Sequence, residues 1–330
     1  MIRPLLLALS IALTGALPAF AQSRAVAVTF DDLPYQATEA SLCDPVQAMK
    51  MTTDFVDMLR PLETHATVFV NEGKVCEAER ATLLPEILAV WLDAGLAMGN
   101  HTFSHMSPHR TTAEAWLADA DRGALISRPL LEARGQRLRF FRHPYLFTGD
   151  TAEKKAAMNA GLAERGYTVA PVTIDNNDWM FADVYRKAEQ LGDRALMARI
   201  GDAYVAHMTT VLDFFEPYSA ELTDGREPAQ VLLLHANTLN RDYYARIHAL
   251  YLARGYRFVD LDEALADPIY RHADDYIRAN GISWLHRWTS TDGRPIRWEP
   301  EPPAWIRTAN QGTVEDLAAS LARGDLSPAG

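Results

Sequence analysis

Thr29-Phe30-Asp31-Asp32 and His101-Thr102-Phe103-Ser104-His105 lie far apart in this 330-residue chain, yet their residue types fit one metal site. His101 and His105 are four apart, a spacing that puts two imidazoles on one side of a single helical turn. One carboxylate and two imidazoles make a three-ligand set suited to zinc, with a fourth position open for water. The adjacent second carboxylate is then free to act on that water. Metal-assisted hydrolysis is the chemistry this combination points to. Each half also has a bland alternative. Asp31-Asp32 can be a solvated turn with a helix-capping carboxylate, and paired histidines often decorate a helix surface.

Groups so distant in sequence need a scaffold that gathers them. Apolar, strand-like runs alternate here with amphipathic helical ones, the pattern of a parallel α/β architecture. The predicted strands are 25–30, 66–70, 97–99, 138–142, 168–174, 231–234 and 257–259. The predicted helices are 45–59, 83–94, 113–133, 152–165 and 243–254, with Gly95, Gly135, Gly166 and Gly255 where helix C-terminal glycines are expected. A long, largely helical insertion runs between Trp179 and Gln230. Ionisable residues follow several strands: Asp31-Asp32, His101 with His105, Arg142-His143-Pro144-Tyr145, Asp175-Asn176-Asn177-Asp178-Trp179, and His235. In β/α barrels, catalytic groups gather at the C-terminal ends of strands.

In that order, TFDD, HTFSH, RHPY, DNNDW and LLH (Leu233-Leu234-His235) resemble the five motifs of the polysaccharide deacetylases with a NodB-type catalytic domain, carbohydrate esterase family four. The resemblance implies a distorted (β/α)7 barrel. It also implies that Asp32, His101 and His105 bind a divalent ion, zinc first and cobalt or another divalent ion as alternatives. Asp31 would be the general base, held ionised by a charge-assisted hydrogen bond from Arg142. His235 would be the general acid, its tautomer fixed by Asp178. Tyr145 would lend its backbone N–H to the oxyanion, and Trp179 would wall the acetyl pocket. The expected substrate is an acetylated carbohydrate, and the expected reaction is removal of N-acetyl groups from an amino-sugar polymer or oligomer. O-acetyl ester hydrolysis on hemicellulose-type sugars is the alternative. A non-catalytic carbohydrate-binding protein is disfavoured, because binding needs neither the base nor the acid. Where the family commonly has Gly-Pro after the first motif, this chain has Leu33-Pro34, which is expected to alter substrate access.

Arg3, the apolar run Leu5–Ala16 and Ala19-Phe20-Ala21 read as a cleaved signal peptide over 1–21, so an exported protein, periplasmic or secreted, is expected. No later stretch is long and apolar enough to span a membrane. A net charge of −11 argues against nucleic acid and anionic surfaces as partners. In an exported chain, Cys43 and Cys76 read as one disulfide, with two buried thiols as the alternative, and the lack of a CxxC spacing argues against thiolate metal ligands. A catalytic domain over 22–269 is followed by a 270–330 extension carrying Trp284, Trp288, Trp298 and Trp305, read as wrapping the barrel rather than stacking on sugars. The sequence leaves the oligomeric state open.

Overall fold

β1 (Arg24–Leu33) is buried from Ala25 to its end, as a strand covered on both faces should be. In this computed structural model, which describes residues 24–36 and 42–324, β1 is the centre of the sheet. The expected signal peptide, Met1–Ala21, lies outside the described residues. On one side β1 pairs with β2 (Thr67–Val70), which leads to β3 (Ala97–Asn100), β4 (Phe140–Phe141) and β5 (Thr168–Val169). On the other side lies β6 (Gln230–His235), while β7 (Tyr256–Phe258) pairs with the start of β1. All these pairings are parallel.

Two predicted strands are shorter than expected. β4 keeps only Phe140–Phe141 of the expected 138–142, and β5 only Thr168–Val169 of 168–174. The ladder ends one residue after β5, where Ala170 N–H bonds to Phe141 O, because Pro171 has no N–H to continue it. The chain then crosses the barrel, and Thr173 and Ile174 bond to Val231 of β6. This crossing closes the ring, giving the distorted β/α barrel. Alternation along β1 sorts its side chains. Ala25 and Ala27 join Phe69, Phe140, Ala170 and Val231 inside the barrel, while Val26, Val28 and Phe30 face the helices outside.

The helices, in chain order, are α1 (Pro45–Leu59), α2 (Glu77–Asp93), α3 (Ala113–Arg122), α4 (Ser127–Glu132), α5 (Ala152–Glu164), α6 (Asp178–Gln190), α7 (Arg194–Glu221), α8 (Thr238–Ala253) and α9 (Leu261–Leu265). The extension adds α10 (Trp284–Thr291), α11 (Ala304–Gln311) and α12 (Val314–Arg323). α1 starts where expected because Asp44 caps Val46 N–H and Gln47 N–H, with Pro45 in the first turn. The four glycines expected to end helices have φ between 70° and 81°.

The single helix expected over 113–133 is two. Gly123 ends the first, and the buried Glu72 carboxylate accepts from Ile126 N–H and Ser127 N–H to start the second. A Cβ at Gly123 would lie 2.5 Å from Thr102 C and 2.7 Å from Phe103 N, so the break is where the chain between the two histidines comes closest. Cys43 and Cys76 are joined, tying the start of α1 to the start of α2. In the extension, Trp284 and Trp288 are buried and Trp305 packs on the core, as expected, while Trp298 is exposed.

Candidate active site

Asp31 and Asp32 are neighbours on a strand, where successive side chains normally point to opposite faces. Here both line one pocket of about 410 Å³. Two local features allow it: the register of β1 against β2 shifts between Phe30 and Leu33, and Asp32 has φ 71°. Such a bulge re-aims side chains at the end of a strand. Leu33 then points into the core with no exposed surface, so it does not narrow the pocket, contrary to the expectation drawn from its place after the motif.

His101 and His105 do not share a helical turn. They sit on an irregular loop after β3, with Thr102 at φ 65° and His105 at φ 54°. Side-chain hydrogen bonds replace helical ones. Asn100 Nδ2 donates to Ala120 O and Tyr167 Oη, and its Oδ1 accepts from Thr102 N–H at 2.7 Å. Ser104 donates to Asp119 Oδ2 through both N–H and Oγ at 2.9 Å. Asn100 and Ser104 therefore hold the loop that carries the histidines, and Asn71 joins them by donating to the carbonyls of His101 and Thr102.

His101 Nδ1 lies 2.8 Å from Arg142 O, which can only accept, so Nδ1 carries the proton and Nε2 offers its lone pair. His105 Nε2 is 3.6 Å and His101 Nε2 3.9 Å from Asp32 Oδ1. That oxygen is buried and has no hydrogen-bond partner. One ligand atom from each of the three residues falls within 4.8 Å of the others. An orphaned carboxylate oxygen facing two free imidazole nitrogens is a donor set that fits a divalent cation. Burial, and for His101 also His105, holds both imidazoles below their ordinary range, which keeps them neutral. The other oxygen of Asp32 is occupied: Lys74 Nζ is 3.1 Å and Gln36 Nε2 3.4 Å away. Burial would raise the Asp32 pKa, but Lys74 and the histidines hold it well below the usual carboxylate range.

Asp31 stands beside this cluster, in register with His235 across β1 and β6. Its pKa is pushed up to about 6 by burial, with Arg142 and His235 pulling the other way. The expected hydrogen bond from Arg142 is absent. Arg142 Nη1 is 3.9 Å from Asp31 Oδ2, an ion pair without a hydrogen bond, because Nη2 is directed to Thr29 Oγ1 at 2.9 Å and the guanidinium lies over the Phe69 ring.

His235 is held as expected. Its Nδ1 is 2.7 Å from Asp178 Oδ1, and its N–H donates to Asp178 Oδ2 at 2.9 Å. Asn240 Nδ2 donates to the same Oδ2 and to His235 O. Burial disfavours the charged ring, but the Asp178 carboxylate outweighs it and lifts the His235 pKa to about 9. Tyr145 and Trp179, 60% and 41% exposed, both line the pocket, and the Tyr145 ring meets His105 edge-on at 4.4 Å. His143 is buried against Trp116 and lines the pocket floor.

Residues 21–164 match the profile of the family described as Polysaccharide deacetylase. Over that segment the chain is similar to the polysaccharide deacetylase family. The matched segment carries Asp31, Asp32, His101, His105, Arg142 and Tyr145. Asp178, Trp179 and His235 lie beyond it; the fold brings Trp179 and His235 to the same pocket, with Asp178 bonded to His235. No curated protein matches. Among solved structures, the chain is similar to the peptidoglycan deacetylase PdaC of Bacillus subtilis, at 21% identity and TM-score 0.45 over 74% of this chain and 93% of that one. It is also similar to a family 4 carbohydrate esterase from Streptomyces lividans, at 19% identity and TM-score 0.47 over 74% and 96%. A third is BA3943, a family 4 pseudoenzyme of Bacillus anthracis, at 12% identity and TM-score 0.49 over 74% and 66%.

Lys74, Gln36 and Asn240 were not among the residues the sequence pointed to. Lys74 had a signal, since Asn71-Glu72-Gly73-Lys74 follows β2, a strand end like the others. Asn240 had none, lying one helical turn into α8 among ordinary helix residues.

Proposed function

We propose that this chain is a metal-dependent hydrolase that removes N-acetyl groups from an amino-sugar polymer or oligomer. The observation that carries the reading is the pairing of Asp31 with His235 beside the Asp32–His101–His105 cluster. One is a buried carboxylate with a raised pKa, the other an imidazole kept protonated by Asp178. At neutral pH the base is thereby ionised and the acid protonated, one on either side of neutrality, as proton transfer in both directions requires.

Asp32, His101 and His105 would hold the ion, which when bound supplies Lewis-acid polarisation of the acetyl carbonyl and lowers the pKa of water. Asp31 accepts a proton from the attacking water through the carboxylate that Arg142 keeps charged. The Tyr145 N–H would donate to the oxygen on which charge develops, a contact of a type worth about 3–4 kcal/mol. His235 Nε2, opposite the nitrogen fixed by Asp178, gives its proton to the departing amine. Tyr145 and Trp179 offer aromatic faces to the sugar on either side.

Export is part of the same proposal: the 1–21 leader and the Cys43–Cys76 disulfide suit an oxidising compartment, and among the described residues no helix is long and apolar enough to cross a membrane. Finding the chain in a periplasmic fraction with a processed N-terminus would support it, and an intact N-terminus in the cytoplasm would refute it. The activity is tested by acetate release from chitin oligomers, peptidoglycan fragments and acetylated xylan, before and after chelation and with zinc or cobalt restored. Release from either amino-sugar substrate, lost on chelation, is expected. Release from xylan alone would make the chain an O-acetyl esterase instead.

A further inference from the structure

The turn that carries Tyr145 is unusual in having two consecutive non-glycine residues in the left-handed region, Tyr145 at φ 57° and Leu146 at φ 54°. Side chains disfavour this conformation, and it persists where the surroundings enforce it. Two turn bonds, Leu146 N–H to His143 O and Phe147 N–H to Pro144 O, leave the Tyr145 N–H outside the turn's own hydrogen bonding. What packs on the outside of this turn is the C-terminal extension, not the barrel.

Gly281 is the point of contact. A Cβ built there would lie 1.8 Å from Tyr145 O and 2.5 Å from Leu146 C, so only glycine admits the two backbones at this distance. Arg287, with no exposed surface, reaches the same turn: Nη1 donates to Leu146 O at 3.3 Å and Nη2 to Thr148 Oγ1. Its charge is balanced by Asp274, 2.6 Å from Nη2, and its plane lies over the Trp284 ring at 4.4 Å. The extension is anchored to the segment that closes the barrel, through Ser283 Oγ to Thr173 O and Trp284 N–H to Val172 O, both 2.7 Å.

We propose that the extension is a working part of the catalytic centre, in which Gly281 and Arg287 act as positioning residues that hold the Tyr145–Leu146 turn so that the Tyr145 N–H and ring face the pocket. The role assigned to the N–H rests on the deacetylase reading above; the clamp on the turn does not. A buried guanidinium spanning Leu146 O, Thr148 and Asp274 fixes a turn more tightly than apolar packing would, because moving it breaks polar contacts to Leu146 O, Thr148 Oγ1 and Asp274 together. The turn also carries the Tyr145 ring onto His105, so one clamp steadies two parts of the site.

The test uses the full, metal-loaded chain and compares Gly281→Ala, Arg287→Lys and Leu317→Ala with the wild type. Leu317, buried on α12 of the extension, does not touch the turn and serves as the control for simple destabilisation. Amide hydrogen exchange at residues 145–147 should speed up about tenfold or more in Gly281→Ala and less in Arg287→Lys, but not in Leu317→Ala. At saturating metal, kcat for acetate release should fall about tenfold or more in Gly281→Ala, with KM within about threefold, while Leu317→Ala lowers Tm and keeps kcat. If Gly281→Ala does not fold, Arg287→Lys decides, since lysine keeps the charge beside Asp274 but cannot bridge Leu146 and Thr148. Wild-type exchange and kcat in the turn variants, or loss of kcat in proportion to Tm in all three, would overturn the proposal. A wild type that releases no acetate would sink the deacetylase reading alone, because the exchange data still decide whether the extension clamps the turn.

Discussion

The Asp178 carboxylate grips His235 twice, at Nδ1 from 2.7 Å and at the backbone N–H from 2.9 Å. It therefore fixes both the ring and the strand end that carries it, and its charge outweighs the burial that would otherwise leave the imidazole neutral. A general acid must be protonated to act, so activity should decline as pH rises through the His235 pKa, about 9. Asp178→Asn removes the charge and leaves burial less opposed. The alkaline limb of kcat/KM should move down by roughly two pH units, and activity at pH 8 should fall about tenfold, with metal content unchanged. An alkaline limb at its original pH would show that Asp178 does not keep His235 charged.

Asp31 and Asp32 should separate cleanly when each side of the site is altered. Only Asp32 belongs to the cluster whose ligand atoms lie within 4.8 Å of one another, whereas Asp31 Oδ2 meets His101 Nε2 at 3.7 Å and faces Arg142. Asp31→Asn should cost about 10²–10⁴-fold in kcat while one equivalent of metal remains bound. His101→Ala and His105→Ala should each lose tight metal binding. The check is metal analysis after dialysis alongside kinetics; tight zinc in both alanine variants would refute the ligand set.

Strand ends were legible in the sequence because apolar runs buried on both faces leave a strong pattern; Asp31, Asp32, His101, His105, Tyr145, Trp179 and His235 line one pocket, while Arg142 and Asp178 pair with Asp31 and His235. What escaped were features set by backbone geometry. The two histidines were placed on a helix by their spacing, whereas a left-handed Thr102 and the Asn71, Asn100 and Ser104 hydrogen bonds bring them together on a loop. Periodicity cannot see a turn held by side chains. Nor could it see that Arg142 spends its hydrogen bond on Thr29 and reaches Asp31 by charge alone, since that depends on an ångström of placement.

Leu33 is the sharpest case. Its neighbour Asp32 faces the pocket, but the shift in register turns Leu33 into the core, where it is fully buried. Leu33→Ala should therefore cost about 2–5 kcal/mol of stability, as large-to-small core changes do. It should leave the order of preference among acetylated substrates unchanged. Urea unfolding and the acetate-release panel measure the two effects. A variant of wild-type stability with a broadened substrate range would return Leu33 to the pocket wall.

His207 offers a pH effect on stability away from the metal cluster. It is buried on α7, with Nε2 3.1 Å from Asn176 O, and burial lowers its pKa to about 4 from an ordinary 6.5, against a small upward pull from that carbonyl. Between those values the unfolded chain binds a proton that the folded chain does not, so stability rises with pH across the window. The contribution is fully present above 6.5 and is lost as pH falls toward 4, amounting to roughly 3 kcal/mol at the acid end. Glu299, raised by burial to about 7, works in the opposite direction, but it is common to wild type and variant and cancels in their difference. His207→Gln keeps an N–H donor for Asn176 O and cannot titrate. Its Tm should fall less steeply than that of the wild type between pH 7 and pH 4.5, and parallel curves for the two proteins would mean that His207 is already free to take up a proton in the folded state.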